Sequence, residues 1–140
     1  MTTNSDIIVY TDGGARGNPG VSGAGAVIQN SSGGTLATIS EFLGKSQTNN
    51  YAEYTAIIMA LKKIKQLGLN KKDIVLKADS KLAIEQLNGN WKVKDANIKI
   101  LFNKVQDLLN DFTNIKFMHV PRGENKLADA LANKAMDKGE

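Results

Sequence analysis

Apolar residues along the 140-residue chain recur with two different periods, and the period changes mark the predicted elements. A β-rich run over residues 6–11 (DIIVYT) leads into Asp12-Gly13-Gly14-Ala15-Arg16-Gly17-Asn18-Pro19-Gly20, whose glycines and proline predict a turn. Two further strands are predicted over 23–29 and 35–43, joined by a hairpin turn at Asn30-Ser31-Ser32-Gly33-Gly34. Ala56, Ile57, Ala60, Leu61, Ile64 and Leu67 then recur at helical spacing until Gly68 stops the helix. A fourth strand over 74–78 and a short helix over 80–87 follow. Ile98, Leu101, Phe102, Val105, Leu108, Leu109 and Phe112 form the next helical stripe, capped at Asp95. The chain closes with a strand over 115–120 and a helix over 125–138. This order predicts an α/β fold: three strands in a meander, then helical crossovers, giving a mixed sheet flanked by helices. No repeat, low-complexity tract or linker divides it, so one domain over 1–140 is expected.

Composition narrows the chemistry. There is no cysteine and only one histidine, which removes disulfides, thiolate nucleophiles, Cys-ligated zinc and multi-histidine metal sites. Acid–base work must fall mainly to carboxylates. The start, MTTNSDIIVYTD, shows no basic leader and no apolar run approaches membrane-spanning length, so a cytoplasmic protein without membrane contact is expected. The net charge is +4, unevenly spread: residues 62–116 hold 12 basic and 6 acidic side chains. Such a lysine-rich middle suits either a polyanionic partner or a solvated helix face.

Four acids occupy unusual places. The first and fourth strands both run apolar into Asp-small pairs, Asp12-Gly13 and Asp79-Ser80. With a right-handed crossover between them, both aspartates sit at carboxyl ends of neighbouring parallel strands, where open α/β sheets bind ligands. Taken singly, Asp12 also suits the start of a turn and Asp79 an N-cap. Glu53 shares the helix face that Ile57, Ala60 and Ile64 turn to the core; the alternative is a capping box with Asn50 as N-cap. Asp129 lies near the start of the last helix, where an exposed acid also favours the dipole. Carboxylates gathered without His or Cys suit hard cations, Mg²⁺ or Mn²⁺, and a pair of such ions serves in-line phosphoryl displacement.

At these residues the chain resembles type 1 ribonuclease H over nearly its whole length. The resemblance is carried by Tyr10-Thr11-Asp12-Gly13-Gly14 with Gly17-Asn18-Pro19-Gly20, by Thr48-Asn49-Asn50-Tyr51-Ala52-Glu53, by Ala78-Asp79-Ser80 and by Glu124-Asn125-Lys126-Leu127-Ala128-Asp129. It implies a five-stranded mixed sheet in order 3-2-1-4-5 with strand 2 antiparallel, and a metal tetrad of Asp12, Glu53, Asp79 and Asp129 joined by the Gly13 backbone. It also implies endonucleolytic hydrolysis of RNA paired with DNA by two metal ions, leaving 3′-hydroxyl and 5′-phosphate ends, in a monomer. Gly14, Asn18, Asn49 and Asn50 match positions that contact the substrate, the asparagines reading ribose 2′-hydroxyls in the minor groove. Thr48 matches a DNA-phosphate contact, and Lys81 replaces the family's usual Gln. Trp91 with Lys92 and Lys94 resembles an aromatic platform for the DNA strand, although a lone Trp beside a helix also suits packing.

Two departures stand out. Residues 89–96 are too short for the basic handle of many bacterial members, which leaves Lys92, Lys94 and the lysines of 62–77 to replace it. The family's loop His is missing; His119 alternates with Ile115 and Phe117 in a strand and reads as structural, leaving Arg122 or Glu124 for the loop's task. This shorter pattern resembles archaeal and handle-less bacterial members, some of which also cut double-stranded RNA. Competing readings are a transposase- or integrase-like strand transferase, or a non-catalytic nucleic-acid-binding module. The absence of appended domains and the asparagine set count against the former, and retention of all four acids against the latter.

Overall fold

The structure is a computed structural model that describes residues 5–140. Residues 1–4, part of the start in which no basic leader was expected, lie outside the described residues. Five strands form one sheet in the order β3-β2-β1-β4-β5. They are β1 (Ile7–Arg16), β2 (Gly20–Asn30), β3 (Thr35–Gln47), β4 (Asp73–Ala78) and β5 (Asn114–His119). β2 is antiparallel to both neighbours, whereas β4 runs parallel to β1 and β5. The helices are α1 (Asn49–Gln66), α2 (Lys81–Leu87), α3 (Ala96–Leu109) and α4 (Lys126–Gly139), with a 3₁₀ turn over Arg122–Glu124. Among the described residues no helix is long and apolar enough to cross a membrane.

Strand alternation sorts the sheet's two faces. Ile7 and Val9 of β1, Ala26 and Ile28 of β2, and Ile74 and Leu76 of β4 pack with Ile57, Leu61 and Ile64 of α1, and with Leu101 and Val105 of α3. The opposite parity meets α4. A Cβ on Gly25 would lie 2.3 Å from the Ala128 carbonyl oxygen, and one on Gly23 2.6 Å from that of Ala132. These two glycines let the α4 backbone settle directly on β2, which any side chain would prevent.

The local expectations need four corrections. Residues 12–16 are strand, not turn: each pairs with β2, from Asp12 opposite Gly25 to Arg16 opposite Val21, and the reversal is confined to Gly17–Pro19. A partner strand supplied hydrogen bonds that glycine-rich composition does not announce. α1 is capped by the Thr48 hydroxyl, which accepts from Tyr51 N–H, rather than by Asn50. Ser80, not Asp79, caps α2 by accepting from Ala83 N–H. Phe112 lies beyond the end of α3 in the following turn, half-buried against the core. The cap at Asp95 is present, accepting from Asn97 and Ile98 N–H, and Gly68 follows α1 with φ +74.

Candidate active site

The last pairing of β1 with β4 is Thr11 opposite Ala78. Past it β4 ends while β1 continues, so the β4-side edge of β1 is open from Asp12 onward. Asp12 follows Thr11 within β1, and Asp79 follows Ala78 just past the end of β4. Asp12 is therefore within its own strand yet level with the carboxyl end of β4, which is how one reading of the sequence survives in altered form.

Into this opening α1 sends Glu53. Its Oε1 accepts a hydrogen bond from the Gly13 N–H at 2.6 Å. The approach is close enough that a Cβ on Gly13 would lie 2.2 Å from the Ala52 carbonyl carbon and oxygen. Carboxylate oxygens of Asp12, Glu53 and Asp79 all lie within 4.8 Å of one another, with Asp12 and Glu53 buried. Asp129, on the first turn of α4, is half-buried and lines the same cleft of about 540 Å³.

Electrostatics follow from this crowding. Burial pushes the Asp12 carboxyl far above the ordinary carboxylate range, and the Glu53, Asp79 and Asp129 carboxyls raise it further. Burial also raises Glu53, opposed by its contacts with Asp12 and the Gly13 N–H. Acids this close hold protons unless cations neutralise them. An all-oxygen, anionic and inflexible donor set fits Mg²⁺ or Mn²⁺ rather than a soft metal. Arg122 brings a guanidinium to these acids: Nε is 4.0 Å from Asp79 Oδ2 and Nη2 is 4.0 Å from Asp129 Oδ1, with the side chain 82% exposed.

The remaining expected site residues separate into groups. Gly14, Asn49 and Asn50 line the acidic cleft. Asn18 and Thr48 line a second groove of about 670 Å³ beside the start of α3, and Asn50 borders both. Asn18 and Asn49 each accept a backbone hydrogen bond, Asn18 Oδ1 from Asn49 N–H at 3.0 Å and Asn49 Oδ1 from Ala15 N–H at 2.8 Å, so they also brace the loop. Lys81 is exposed at the start of α2, and Trp91, Lys92 and Lys94 are exposed on the segment leading into α3; none of them lines the acidic cleft. Trp91 is 44% exposed and stays out of the core, which counts against packing as its role. Glu124 lies on a different surface with Tyr10 and Gln29, so of the two loop candidates only Arg122 faces the acids. His119 is the last residue of β5, as expected of a strand position, but it is exposed, which corrects the expectation that it is structural. Arg16, Asn133 and Met136 line the cleft without having been singled out. The α4 pair was discoverable, because Asn133 and Met136 stand four and seven residues after Asp129 on one helix face.

A sheet in this order, with acids converging where β1 outruns β4, defines the nucleases and strand transferases of the ribonuclease H fold. A family model described as "Reverse transcriptase-like" matches residues 10–135. The chain is 40% identical to the "Ribonuclease H" of Ruthia magnifica subsp. Calyptogena magnifica, over 94% of this chain and 96% of that one. It is 41% identical to the "Bifunctional protein Rv2228c" of Mycobacterium tuberculosis, covering 94% of this chain but spanning only 35% of that relative's length. Among solved structures it is similar to LC11-RNase H1 in complex with an RNA/DNA hybrid, at TM-score 0.90 and 42% identity, over 94% of this chain and 97% of that one. The chain belongs to the ribonuclease H family.

Proposed function

We propose that this chain is a metal-dependent endoribonuclease that hydrolyses the RNA strand of RNA/DNA hybrids, leaving 5′-phosphate and 3′-hydroxyl ends. The observation that carries this reading is the convergence of Asp12, Glu53 and Asp79, from three separate elements, within 4.8 Å. Asp12, Glu53, Asp79 and Asp129 would hold two Mg²⁺ or Mn²⁺ ions, with the Gly13 backbone steadying Glu53. Such ions, when bound, activate water and stabilise charge on the leaving oxygen.

The protein's own groups supply the rest. Burial keeps Asp12 and Glu53 in place and limits competing water around them. Asn49 and Asn50 at the rim, with Gly14 beside them, offer an amide and backbone edge suited to ribose hydroxyls. Asn18 and Thr48 continue this surface into the second groove, where Lys104 adds positive charge. Trp91, Lys92, Lys94 and Lys81 extend it over exposed ground, in place of the absent basic handle. Arg122 approaches Asp79 and Asp129 from the open side, suited to partner the negative charge that the reaction generates.

The test is cleavage of end-labelled RNA/DNA, RNA/RNA and DNA/DNA duplexes with Mg²⁺, Mn²⁺ or a chelator. Cleavage of the hybrid's RNA strand, abolished by chelation, is expected. Cleavage of RNA/RNA as well would extend the substrate class as in the handle-less members. Joining of DNA strands without RNA cleavage would instead make it a strand transferase.

A further inference from the structure

Asn125 is 1% exposed, although it stands next to an exposed loop and its side chain is polar. Its Nδ2 donates to the Thr11 carbonyl oxygen at 2.8 Å, across 114 residues of sequence. Its Oδ1 finds no partner among the described residues. A buried amide with one half unsatisfied costs stability rather than adding it, so its retention calls for another reason.

The backbone of Asn125 supplies that reason. Its N–H donates to the Arg122 carbonyl at 3.0 Å, and its own carbonyl accepts from the Asp129 N–H at 3.0 Å. One residue thus ties together the turn bearing Arg122, the first turn of α4 bearing Asp129, and the β1 backbone one residue before Asp12. Besides the seat of α4 on Gly23 and Gly25 of β2, its other polar attachment near the cleft is weaker. Arg16 meets Asp137 and Asn133 through an exposed side chain, and exposed ion pairs hold geometry loosely. Asp129 approaches Asp12 but stands outside the trio whose carboxylate oxygens all lie within 4.8 Å of one another.

We infer that Asn125 is a positioning residue: through Thr11 it sets Asp129 and Arg122 against Asp12, and so decides how the fourth acid meets the metal-binding trio. This rests on the four-acid reading above. Partners that orient a metal ligand are worth about 10–100-fold in metal affinity or activity, which sets the size of the expected effect.

The experiment compares Asn125→Ala and Asn125→Ser with Asp129→Asn and with Val105→Ala, a fully buried core position in α3. Turnover on an RNA/DNA hybrid is measured alongside Mn²⁺ binding, followed by loss of the free-ion paramagnetic resonance signal. Both Asn125 variants should lower kcat by about 10–100-fold and weaken Mn²⁺ binding by a similar factor, with KM for the hybrid little changed. Their melting temperatures should fall less than that of Val105→Ala, which should keep its kcat below its transition. Should Asn125→Ala not fold, the Ser variant, with its small polar side chain, carries the comparison. Normal kcat and normal Mn²⁺ binding in the Asn125 variants, while Asp129→Asn is crippled, would overturn the inference alone. An unimpaired Asp129→Asn would overturn the four-acid reading and the inference with it.

Discussion

Gly13 in the middle of β1 gives its N–H to Glu53 Oε1 on the second turn of α1, at 2.6 Å. This contact exists because β4 ends at Ala78 and leaves that edge of β1 without a strand partner. It also requires the α1 backbone to lie where a Cβ on residue 13 would be. Gly13→Ala must push α1 away from β1, at a cost of about 1–3 kcal/mol for the overpacking. Urea denaturation should register that loss, and turnover should fall further than stability does. An alanine variant with the parent's activity would show that Glu53 needs no such approach.

Asp12 and Glu53 give the metal-free protein an inverted pH response. Their folded values are pushed up to about 10 and about 7, above the ordinary 3.8 and 4.5 of the unfolded chain. The folded state therefore binds more protons, and its stability falls as pH rises from about 4 through neutrality. In chelator, the melting temperature should drop between pH 5 and pH 8. Mg²⁺ or Mn²⁺ should restore it at the higher pH by replacing protons with a cation. Asp12→Asn should abolish turnover, flatten this slope and raise the chelated protein's melting temperature at pH 8. A parent protein that becomes more stable over that range would contradict the buried-acid assignment.

Arg122 is mostly solvated, so its removal should cost little stability. Arg122→Ala is expected to lower kcat by about tenfold, about 1.4 kcal/mol, since a solvated donor in an open site is worth less than one in an enclosed oxyanion site. Glu124→Ala, facing elsewhere, should leave kcat unchanged. The reverse ranking would move the loop's function to Glu124.

His119→Ala should leave the melting temperature nearly unaltered, because the ring is exposed at the end of β5. Thermal unfolding followed by circular dichroism decides this directly.

Lys92 and Lys94 bear on binding rather than chemistry. Each phosphate contact removed reduces the slope of log affinity against log salt by about one. The double alanine variant should therefore show a shallower salt dependence for hybrid binding and an unchanged kcat at saturating substrate. An unaltered slope would place the nucleic acid elsewhere on the surface.

Periodicity in the sequence determined the number, kind and order of the elements, because i, i+2 and i, i+4 spacing is a local record of which side faces the core. Three of the acids were legible for a similar reason: Glu53 on an apolar stripe and Asp12 and Asp79 after apolar strands are locally anomalous, whereas Asp129 was marked only by the family resemblance. Strand length was not legible. The extension of β1 through Arg16 depends on hydrogen bonds from β2, and the open edge at Asp12 depends on β4 ending at Ala78. The choice of caps at Thr48 and Ser80 over equally suitable neighbours depended on how each helix meets the sheet. Only the tertiary structure could show that Asn125 reaches Thr11, or that Arg122 rather than Glu124 faces the acids, since both contacts join segments far apart in sequence. Local spacing chooses the parts, whereas backbone pairing and close packing between distant segments decide where their charged groups meet.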